Sequence, residues 1–202
     1  MQKDKLIKKY DKQVRNYEKN RNNPTLAKWR RELLRDIKGN VLEVGVGAGA
    51  NFAFYNKNNV HITGVDFSPE MIKSATKEAD LYQLETQFLL KNVEELEFEP
   101  DSFDHIVSTL SLCSYQDPVR VLTKFNEWCR KDGSIRLLEH GISSNRFLSF
   151  TQKTADPILT KISGCHWNRD MLELVNAANI QIERVERYWS DIVYMIWAKP
   201  SL

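Results

Sequence analysis

Hydrophobic residues follow two different spacings along this chain, and the spacing changes near residue 40. Ile7, Tyr10 and Val14 recur at intervals of three or four positions, which is the pattern of a helix with one apolar face. After residue 40, short apolar runs alternate with helical patterns. That alternation predicts an α/β fold with a doubly wound sheet and helices on both of its faces.

Local signals mark the ends of helices and one interruption. Asn23 and Pro24 combine a capping residue with a first-turn proline, and Gly39 is placed to end the helix that they begin. Residues 143–162 also carry apolar positions at helical spacing, but Pro157 interrupts them. A proline inside a helix removes one hydrogen bond, so a kinked or broken helix is predicted there.

Seven apolar runs have the length of strands. They are residues 41–44, 60–65, 86–90, 103–109, 135–138, 180–188 and 192–198. Asp132 and Gly133 are predicted to turn the chain into the fifth of these strands. Asn168 is predicted to cap a helix over residues 169–178.

The first apolar run leads into a turn with three glycines. Gly45, Gly47 and Gly49 stand at alternate positions, so the backbone can turn sharply and approach a ligand closely. A dinucleotide fingerprint would place its third glycine three residues after the second, where this chain has Ala50. Glu43 suits a ligand with a cationic amino-acid tail, because opposite charges attract strongly where water is scarce. S-adenosylmethionine has that chemistry.

Four blocks of sequence carry a family resemblance. They are residues 41–52 (VLEVGVGAGANF), 108–114 (STLSLCS), 137–141 (LLEHG) and 164–170 (GCHWNRD). The first resembles the glycine-rich motif of class I S-adenosylmethionine-dependent methyltransferases. The later blocks are similar to the methyltransferase-like group that includes alkyl thiol methyltransferases.

The resemblance implies a fold and a division of the chain. The fold is a Rossmann-like seven-stranded sheet, mostly parallel, with an antiparallel last strand. Residues 1–202 would form one domain. Its parts would be a helical cover (1–39), a cofactor-binding core (40–140), and a roof segment with the last two strands (141–202).

The expected cofactor is S-adenosylmethionine, bound beyond the carboxyl ends of the strands. Asp66 ends the second strand, where a carboxylate can accept both ribose hydroxyls; a turn or capping role is the alternative. The resemblance implies that Asn92 accepts a hydrogen bond from the adenine amino group, at a position where related enzymes often carry Asp. The expected cofactor contacts are Glu43, Gly45, Gly47, Gly49, Asn51, Asp66, Phe67, Met71, Asn92, Val93, Glu94, Thr109 and Leu110.

The expected acceptor site lies at the same edge of the sheet. His140 ends the fifth strand and is the best-placed general base, with a structural hydrogen-bonding role as the alternative. Tyr10 and Tyr17 are expected to line the acceptor site with Ser111 and Cys113. The two tyrosines resemble a Tyr-Asp repeat of related enzymes, and simple packing is the alternative. Cys113 is expected to be a small buried residue, because methyl transfer is a direct displacement and needs no covalent relay.

Composition is that of a globular domain, with 42% hydrophobic and 28% charged residues. No apolar run approaches the ~20 residues that cross a bilayer, and the first residues are charged, so we expect a cytoplasmic location. Residues 1–40 hold 13 Lys/Arg and 5 Asp/Glu, a net +8, whereas the rest holds 16 and 22, a net −6. We expect this basic arm to be a solvated helical surface. Contact with an anionic membrane, nucleic acid or an acidic substrate is the alternative.

Cysteine and histidine spacing predicts reduced thiols and no metal site. Cys113, Cys129 and Cys165 are far apart and form no CxxC pair, and the four histidines are equally scattered.

The predicted function is S-adenosylmethionine-dependent methyl transfer to a small-molecule acceptor, such as a thiol or another lipophilic nucleophile. The alternatives are a non-catalytic S-adenosylmethionine-binding module and, third, a nicotinamide-dependent oxidoreductase. No nucleic-acid partner is expected, and any membrane contact would be peripheral, through the first helix. The sequence makes no prediction of the oligomeric state.

Overall fold

The computed structural model describes residues 3–201. The strands of these residues are β1 (Gly39–Val44), β2 (Val60–Asp66), β3 (Glu85–Leu90), β4 (Phe103–Thr109), β5 (Cys129–His140), β6 (Gln181–Tyr188) and β7 (Val193–Lys199). The helices of six or more residues are α1 (Lys3–Asn20), α2 (Pro24–Leu34), α3 (Pro69–Tyr82), α4 (Pro118–Trp128), α5 (Arg146–Ser163) and α6 (Met171–Ala177). The strands form one sheet in the order β3-β2-β1-β4-β5-β7-β6.

The pairing of the strands confirms the predicted topology. β1, β2, β3, β4 and β5 pair in parallel, and β7 runs antiparallel to both of its neighbours, β5 and β6. Parallel strands end at the same edge of a sheet. The residues that follow β1, β2, β4 and β5 therefore meet there, which is where ligands bind in folds of this type.

Helices cover both faces of the sheet, as the strand pattern predicts. Val41 and Leu42 are both fully buried, but they belong to different core clusters because successive strand residues point to opposite faces. Side chains of α4 and α6 pack with Leu42 on one face. Those of α2 and α3 pack with Val41 on the other.

Capping residues begin α2 and α4: Asn23 and Pro24 do so as predicted, and the Asp117-Pro118 pair likewise predicts the start of a helix from the sequence. The side chain of Asn23 accepts hydrogen bonds from the backbone of Thr25 and Leu26, and Pro24 opens α2. Asp117 caps α4 in the same way, by accepting from the backbone of Arg120. These short-range signals are confirmed because each depends only on residues two or three positions apart.

Three predicted helix and strand limits are wrong. α2 ends at Leu34, and Gly39 instead begins β1 with a φ of +76°. Asp170, not Asn168, caps α6 by accepting from the backbone of Leu172 and Glu173. β5 already begins at Cys129, although its pairing with β4 is irregular up to Ser134, across the predicted turn at Asp132 and Gly133. Strand pairing accounts for the first and third differences, since Gly39 pairs with Val60 of β2 and Cys129 with Phe103 of β4, whereas the cap at Asp170 is set by hydrogen bonds within its own helix.

The proline in α5 does not break that helix. α5 runs continuously through Pro157. The neighbouring Asp156 is buried and accepts hydrogen bonds from the backbone of Trp167, at 2.7 Å, and from the ring of His166, at 2.9 Å. These contacts with the following segment hold the helix at the point where the proline removes a backbone hydrogen bond.

None of the helices within residues 3–201 has the length and apolar character that a membrane span requires.

Phe125 and Phe147 offer a direct test of which phenylalanine side chains pack in the core. Phe125 in α4 is completely buried, whereas Phe147 in α5 is 74% exposed. We expect Phe125→Ala to lower the free energy of unfolding by about 3–5 kcal/mol, because it leaves a cavity. Phe147→Ala should change it by less than about 0.5 kcal/mol. Urea unfolding of both variants measures the difference, and equal losses would contradict this packing.

Candidate functional site

A cavity of about 310 Å³ opens at the carboxyl edge of the sheet, beneath the two N-terminal helices. Of the predicted site residues, those in its lining are Tyr10, Tyr17, Gly45, Gly47, Asp66, Phe67, Met71, Thr109, Leu110 and Ser111. Those outside the lining are Glu43, Gly49, Asn51, Asn92, Val93, Glu94, Cys113 and His140. The structure therefore brings the predicted glycine turn, the end of β2 and the end of β4 around one space.

Two glycines of the turn leave room that a side chain would occupy. Gly45 has a φ of +65°, and a Cβ there would lie 2.4 Å from the Cβ of Ser111. Gly47 has a φ of +53°, and its nearest neighbours to an added Cβ, including the ring of Tyr17, are 3.8 Å away. Gly45 therefore allows close packing of two loops, whereas Gly47 lines the cavity and an added Cβ there would be in van der Waals contact with Tyr17 of α1.

Glu43 holds the turn together and does not face the cavity. It is buried, and its two oxygens accept hydrogen bonds from the Asn51 amide, at 3.0 Å, and the Tyr55 hydroxyl, at 2.7 Å. The Asn51 amide also donates to the hydroxyl of Thr109 at 3.1 Å, which links the turn to the end of β4. Burial raises the pKa of Glu43 to about 7, and the two hydrogen bonds oppose that rise. Glu43 thus hydrogen-bonds within the turn and lies outside the cavity lining, and its direct contact with a cationic ligand tail stays a prediction.

Asp66 lies in the cavity lining and also orders the turn. Its Oδ2 accepts a hydrogen bond from the backbone of Gly47 at 2.9 Å, and its Oδ1 accepts one from the backbone of Ser68 at 2.9 Å. Burial raises the pKa of this carboxyl to about 6, whereas the backbone hydrogen bonds lower it. Each carboxylate oxygen has further lone pairs, so Asp66 can also accept from ligand hydroxyls. Both predicted alternatives, the turn and the ligand site, are compatible with this geometry.

The residues after β3 are engaged in the local turn. The amide oxygen of Asn92 accepts from the backbone of Glu94 at 3.1 Å, and a Glu94 oxygen accepts from the backbone of Gln116 and Asp117. Val93 is buried in the core. The predicted adenine contact of Asn92 thus competes with a capping hydrogen bond, which is the role that Asn takes readily at such turns.

Hydrogen bonds from side chains that the sequence analysis did not predict hold helix α1 against α3. Asp11 accepts a hydrogen bond from the hydroxyl of Ser68 at 2.5 Å. Arg21 donates to Glu78 at 2.7 Å and to the backbone carbonyl of Ala48, in the glycine turn, at 2.7 Å. The helix that closes the cavity is therefore tied to the same turn that forms its floor.

Arg30 is a second residue that was missed. It lies in the cavity lining, is only 5% exposed, and its Nε and Nη1 atoms have no hydrogen-bond partner among the described residues. Burial lowers the pKa of Arg30, and the nearby charge of Glu43 opposes this effect. The available signal was its position between Leu26 and Leu33, within the apolar stripe of α2. An unpaired buried guanidinium beside a cavity is suited to binding a ligand carboxylate.

The loop after β4 is fixed by a second buried carboxylate. Glu139 Oε1 accepts hydrogen bonds from the Ser108 hydroxyl, at 2.7 Å, and from the backbone of Ser111 and Leu112, at 3.1 and 3.3 Å. Burial raises the pKa of Glu139 to about 7. Because Ser111 lines the cavity, Glu139 positions one of its walls.

Cys113 and His140 meet Cys165 beside the cavity. The two sulfur atoms are 2.9 Å apart, and the hydroxyl of Tyr10 lies 3.3 Å from the Cys165 sulfur. The hydrogen bond from Cys113 is the main reason that the pKa of Cys165 falls to about 5. Cys113 is buried, as predicted. The predicted separation of cysteines and histidines holds along the sequence but not in space.

Comparison with known proteins gives a consistent match. A family model described as a methyltransferase domain matches residues 42–137. The human protein thiol S-methyltransferase TMT1B is 32% identical over 180 residues, which cover 81% of this chain and 73% of that protein. The mitochondrial methyltransferase OMS1 of Saccharomyces cerevisiae is 28% identical over 192 residues, which cover 86% of this chain but only 41% of the yeast protein. The chain thus spans less than half the length of that yeast relative.

A solved structure shares the fold. The geranyl diphosphate C-methyltransferase of Streptomyces coelicolor, in complex with magnesium, geranyl diphosphate and S-adenosyl-L-homocysteine, superposes with a TM-score of 0.72. The two are 11% identical, and the match covers 87% of this chain and 80% of that chain.

The raised pKa of Glu139 predicts a pH-dependent stability. Between its ordinary pKa of 4.5 and about 7 the unfolded chain loses the proton while the folded protein keeps it, so stability falls as pH rises through this window. Glu139→Gln has no such proton to lose. As pH rises through this window, the parent should lose roughly 1–3 kcal/mol of its free energy of unfolding, and Glu139→Gln should not show that loss.

Urea unfolding at several pH values measures how the difference in free energy of unfolding between Glu139→Gln and the parent changes with pH. Glu127→Gln, at an exposed position in α4, serves as the control, and its difference from the parent should not vary with pH. A flat difference for Glu139→Gln as well would show that Glu139 ionises normally in the folded protein.

Proposed function

This chain belongs to the S-adenosylmethionine-dependent methyltransferases, and we propose that it transfers the methyl group of that cofactor to a small thiol. The observation that carries the proposal is a cavity lined by the glycine turn, by Asp66 and by the unpaired guanidinium of Arg30. These groups provide an open backbone, a hydroxyl acceptor and a carboxylate-binding cation.

The cavity has a complementary group for each polar part of S-adenosylmethionine. Arg30 lines the cavity with an incompletely hydrogen-bonded guanidinium, which can bind the carboxylate of the amino-acid tail. Asp66 can accept the ribose hydroxyls. Gly47 lines the cavity without a side chain, so its backbone can approach the ligand closely.

The chain's main task is alignment and the exclusion of water. When bound, the cofactor supplies a methyl group on a sulfonium, which leaves a neutral thioether. α1 covers the cavity through Tyr10 and Tyr17, and its tie through Arg21 keeps that cover on the glycine turn. Holding two reactants in line in a dry site can lower a barrier by about 7–11 kcal/mol.

A thiol is the acceptor that needs the least help from the protein. Free thiols ionise near pH ~8.5, so a thiolate forms without a strong base. This matters because His140, the predicted general base, lies outside the cavity lining. The name of the human relative, thiol S-methyltransferase, supports the same acceptor class.

The proposal also covers the cellular location of the protein and the kind of molecule on which it acts. We place the protein in the cytoplasm, acting on free small molecules rather than on nucleic acid. Cell fractionation tests the location, and mitochondrial enrichment, as in the name of the yeast relative, is the opposing outcome.

Arg30 gives a sharp test of cofactor binding. Removing its charge with Arg30→Met should weaken binding of S-adenosylmethionine by roughly 10- to 100-fold in calorimetry, because a charge-assisted hydrogen bond is lost. Arg35→Met is the matched control, since Arg35 directly follows the same helix and its side chain is 64% exposed. Equal affinities for the two variants would remove Arg30 from the site.

The acceptor class is tested by product analysis. We expect mass spectrometry to detect S-methylated products from alkyl and aryl thiols, and none from the matching alcohols. Gly47→Val should abolish both cofactor binding and product, because a branched side chain is strained at a φ of +53° and would crowd Tyr17 in the cavity lining. Methylation of alcohols or amines but not thiols would refute the acceptor assignment. Cofactor binding without any product would favour a non-catalytic binding module.

A further inference from the structure

Three metal-binding side chains meet beside the cavity although the sequence keeps them far apart. The donor atoms of Cys113, His140 and Cys165 all lie within 4.8 Å of one another. Two sulfurs and one imidazole nitrogen are a donor set that suits zinc and similar divalent ions, and catalytic zinc sites commonly use three protein ligands.

Backbone contacts hold this cluster in place. The N–H of His166 donates to the carbonyl of Cys113 at 2.9 Å, which fixes the segment of Cys165 against the loop of Cys113. The guanidinium of Arg169 also donates to the carbonyl of Leu112 in that loop. The two sulfurs are therefore brought together by the fold itself, as a preformed metal site requires.

His140, whose side chain hydrogen-bonds Cys165, adds an observation about its own ring. Its Nδ1 is buried and has no hydrogen-bond partner among residues 3–201. Its ring lies 5.0 Å from the ring of Trp167, at an interplanar angle of 32°. Buried polar nitrogens are seldom left unpaired, so this nitrogen has a binding capacity that the described part of the chain does not use.

A disulfide between Cys113 and Cys165 is the competing interpretation. The sulfur separation of 2.9 Å lies between the S–S bond length of about 2.05 Å and the roughly 3.7 Å expected for two thiolates on one zinc ion. The third donor favours the metal, because a disulfide would make no use of His140. A divalent ion would also neutralise two thiolates, which suits a site that includes a buried residue such as Cys113.

We infer that Cys113, Cys165 and His140 bind a zinc-class divalent ion whose fourth coordination position takes the acceptor sulfur. The position of the cluster supports the second part, which rests on the proposed function. Tyr10 lines the cavity and its hydroxyl reaches the sulfur of Cys165. Ser111 and Ser114, on either side of Cys113, line the same cavity.

A metal at this position would activate the acceptor. A thiol that binds zinc gives up its proton, here to solvent, and its sulfur keeps the electron pair. That pair forms the new bond to the methyl carbon as the bond from the methyl carbon to the sulfonium breaks. The breaking bond leaves its electrons on the departing sulfur, so the products are a methyl thioether and S-adenosylhomocysteine.

Cobalt(II) is a spectroscopic probe for the metal site. The full chain, reduced and freed of metal under anaerobic conditions, should bind one equivalent of cobalt(II) and develop a thiolate-to-cobalt charge-transfer band. Cys113→Ser and Cys165→Ser should each lose about half of that band or more, because one of two thiolate ligands is gone. His140→Gln should weaken cobalt binding by roughly tenfold or more, because one ligand of three is lost.

Cys129→Ser is the matched control, because Cys129 is as buried as Cys113 but lies outside the cluster. It should retain the full band, and each variant's affinity for S-adenosylmethionine checks that it is folded. Absence of the band, or equal loss in Cys129→Ser, overturns the site. A mass lower by two hydrogens in the protein prepared anaerobically would show a disulfide and overturn it as well.

The fourth position is tested with mercaptoethanol and its oxygen analogue, ethylene glycol. Mercaptoethanol should shift the cobalt band and ethylene glycol should not. If metal-free protein methylates thiols at the full rate, the metal's role falls while the proposed function stands. If cobalt binds with its thiolate band but no thiol is methylated, the metal site stands and the thiol acceptor falls.

Discussion

Two buried carboxylates hold the loops at the carboxyl edge of the sheet, and the cavity depends on both. Glu43 on β1 accepts hydrogen bonds from Asn51 and Tyr55. Glu139 on β5 accepts them from Ser108 and from the backbone of the loop after β4. Because β4 lies between β1 and β5, these carboxylates fix the two loops from either side of the same opening. Burial raises the pKa of both, which is the energetic cost of placing acids where they order backbone instead of meeting water.

Much of the fold was predictable because its signals are local. The alternating apolar runs indicated the strands, and a cap such as Asn23 acts on residues only two or three positions away. The predictions failed where distant contacts compete with local ones. Pro157 interrupts a helical pattern, yet the buried Asp156 beside it keeps α5 continuous through hydrogen bonds to the following segment. Gly39 is a residue type that often ends helices, but it pairs with Val60 of β2 and so begins β1.

The residues of the candidate site also divide into those that local signals predict and those that depend on distant contacts. Gly47 and Asp66 were predictable because glycine spacing and the end of a strand determine their place in this fold. Which acidic group lines the cavity was not predictable, since Glu43 is turned toward Asn51 by hydrogen bonds that only the folded turn creates. The meeting of Cys113 with Cys165 is still less visible in the sequence. It depends on how the segment after α5 returns to the loop after β4.

The basic N-terminal arm shows how a charge count can mislead. A net charge of +8 over residues 1–40 is the pattern of a solvated surface, and most of its lysines fit that description. Arg21 instead donates hydrogen bonds to Glu78 and to the glycine turn, and Arg30 is buried at the cavity. A cation buried without a partner is costly, so a fold retains one where a ligand anion can pair with it. Two cations of the arm therefore belong to the cavity and to the turn at its floor rather than to the solvated surface.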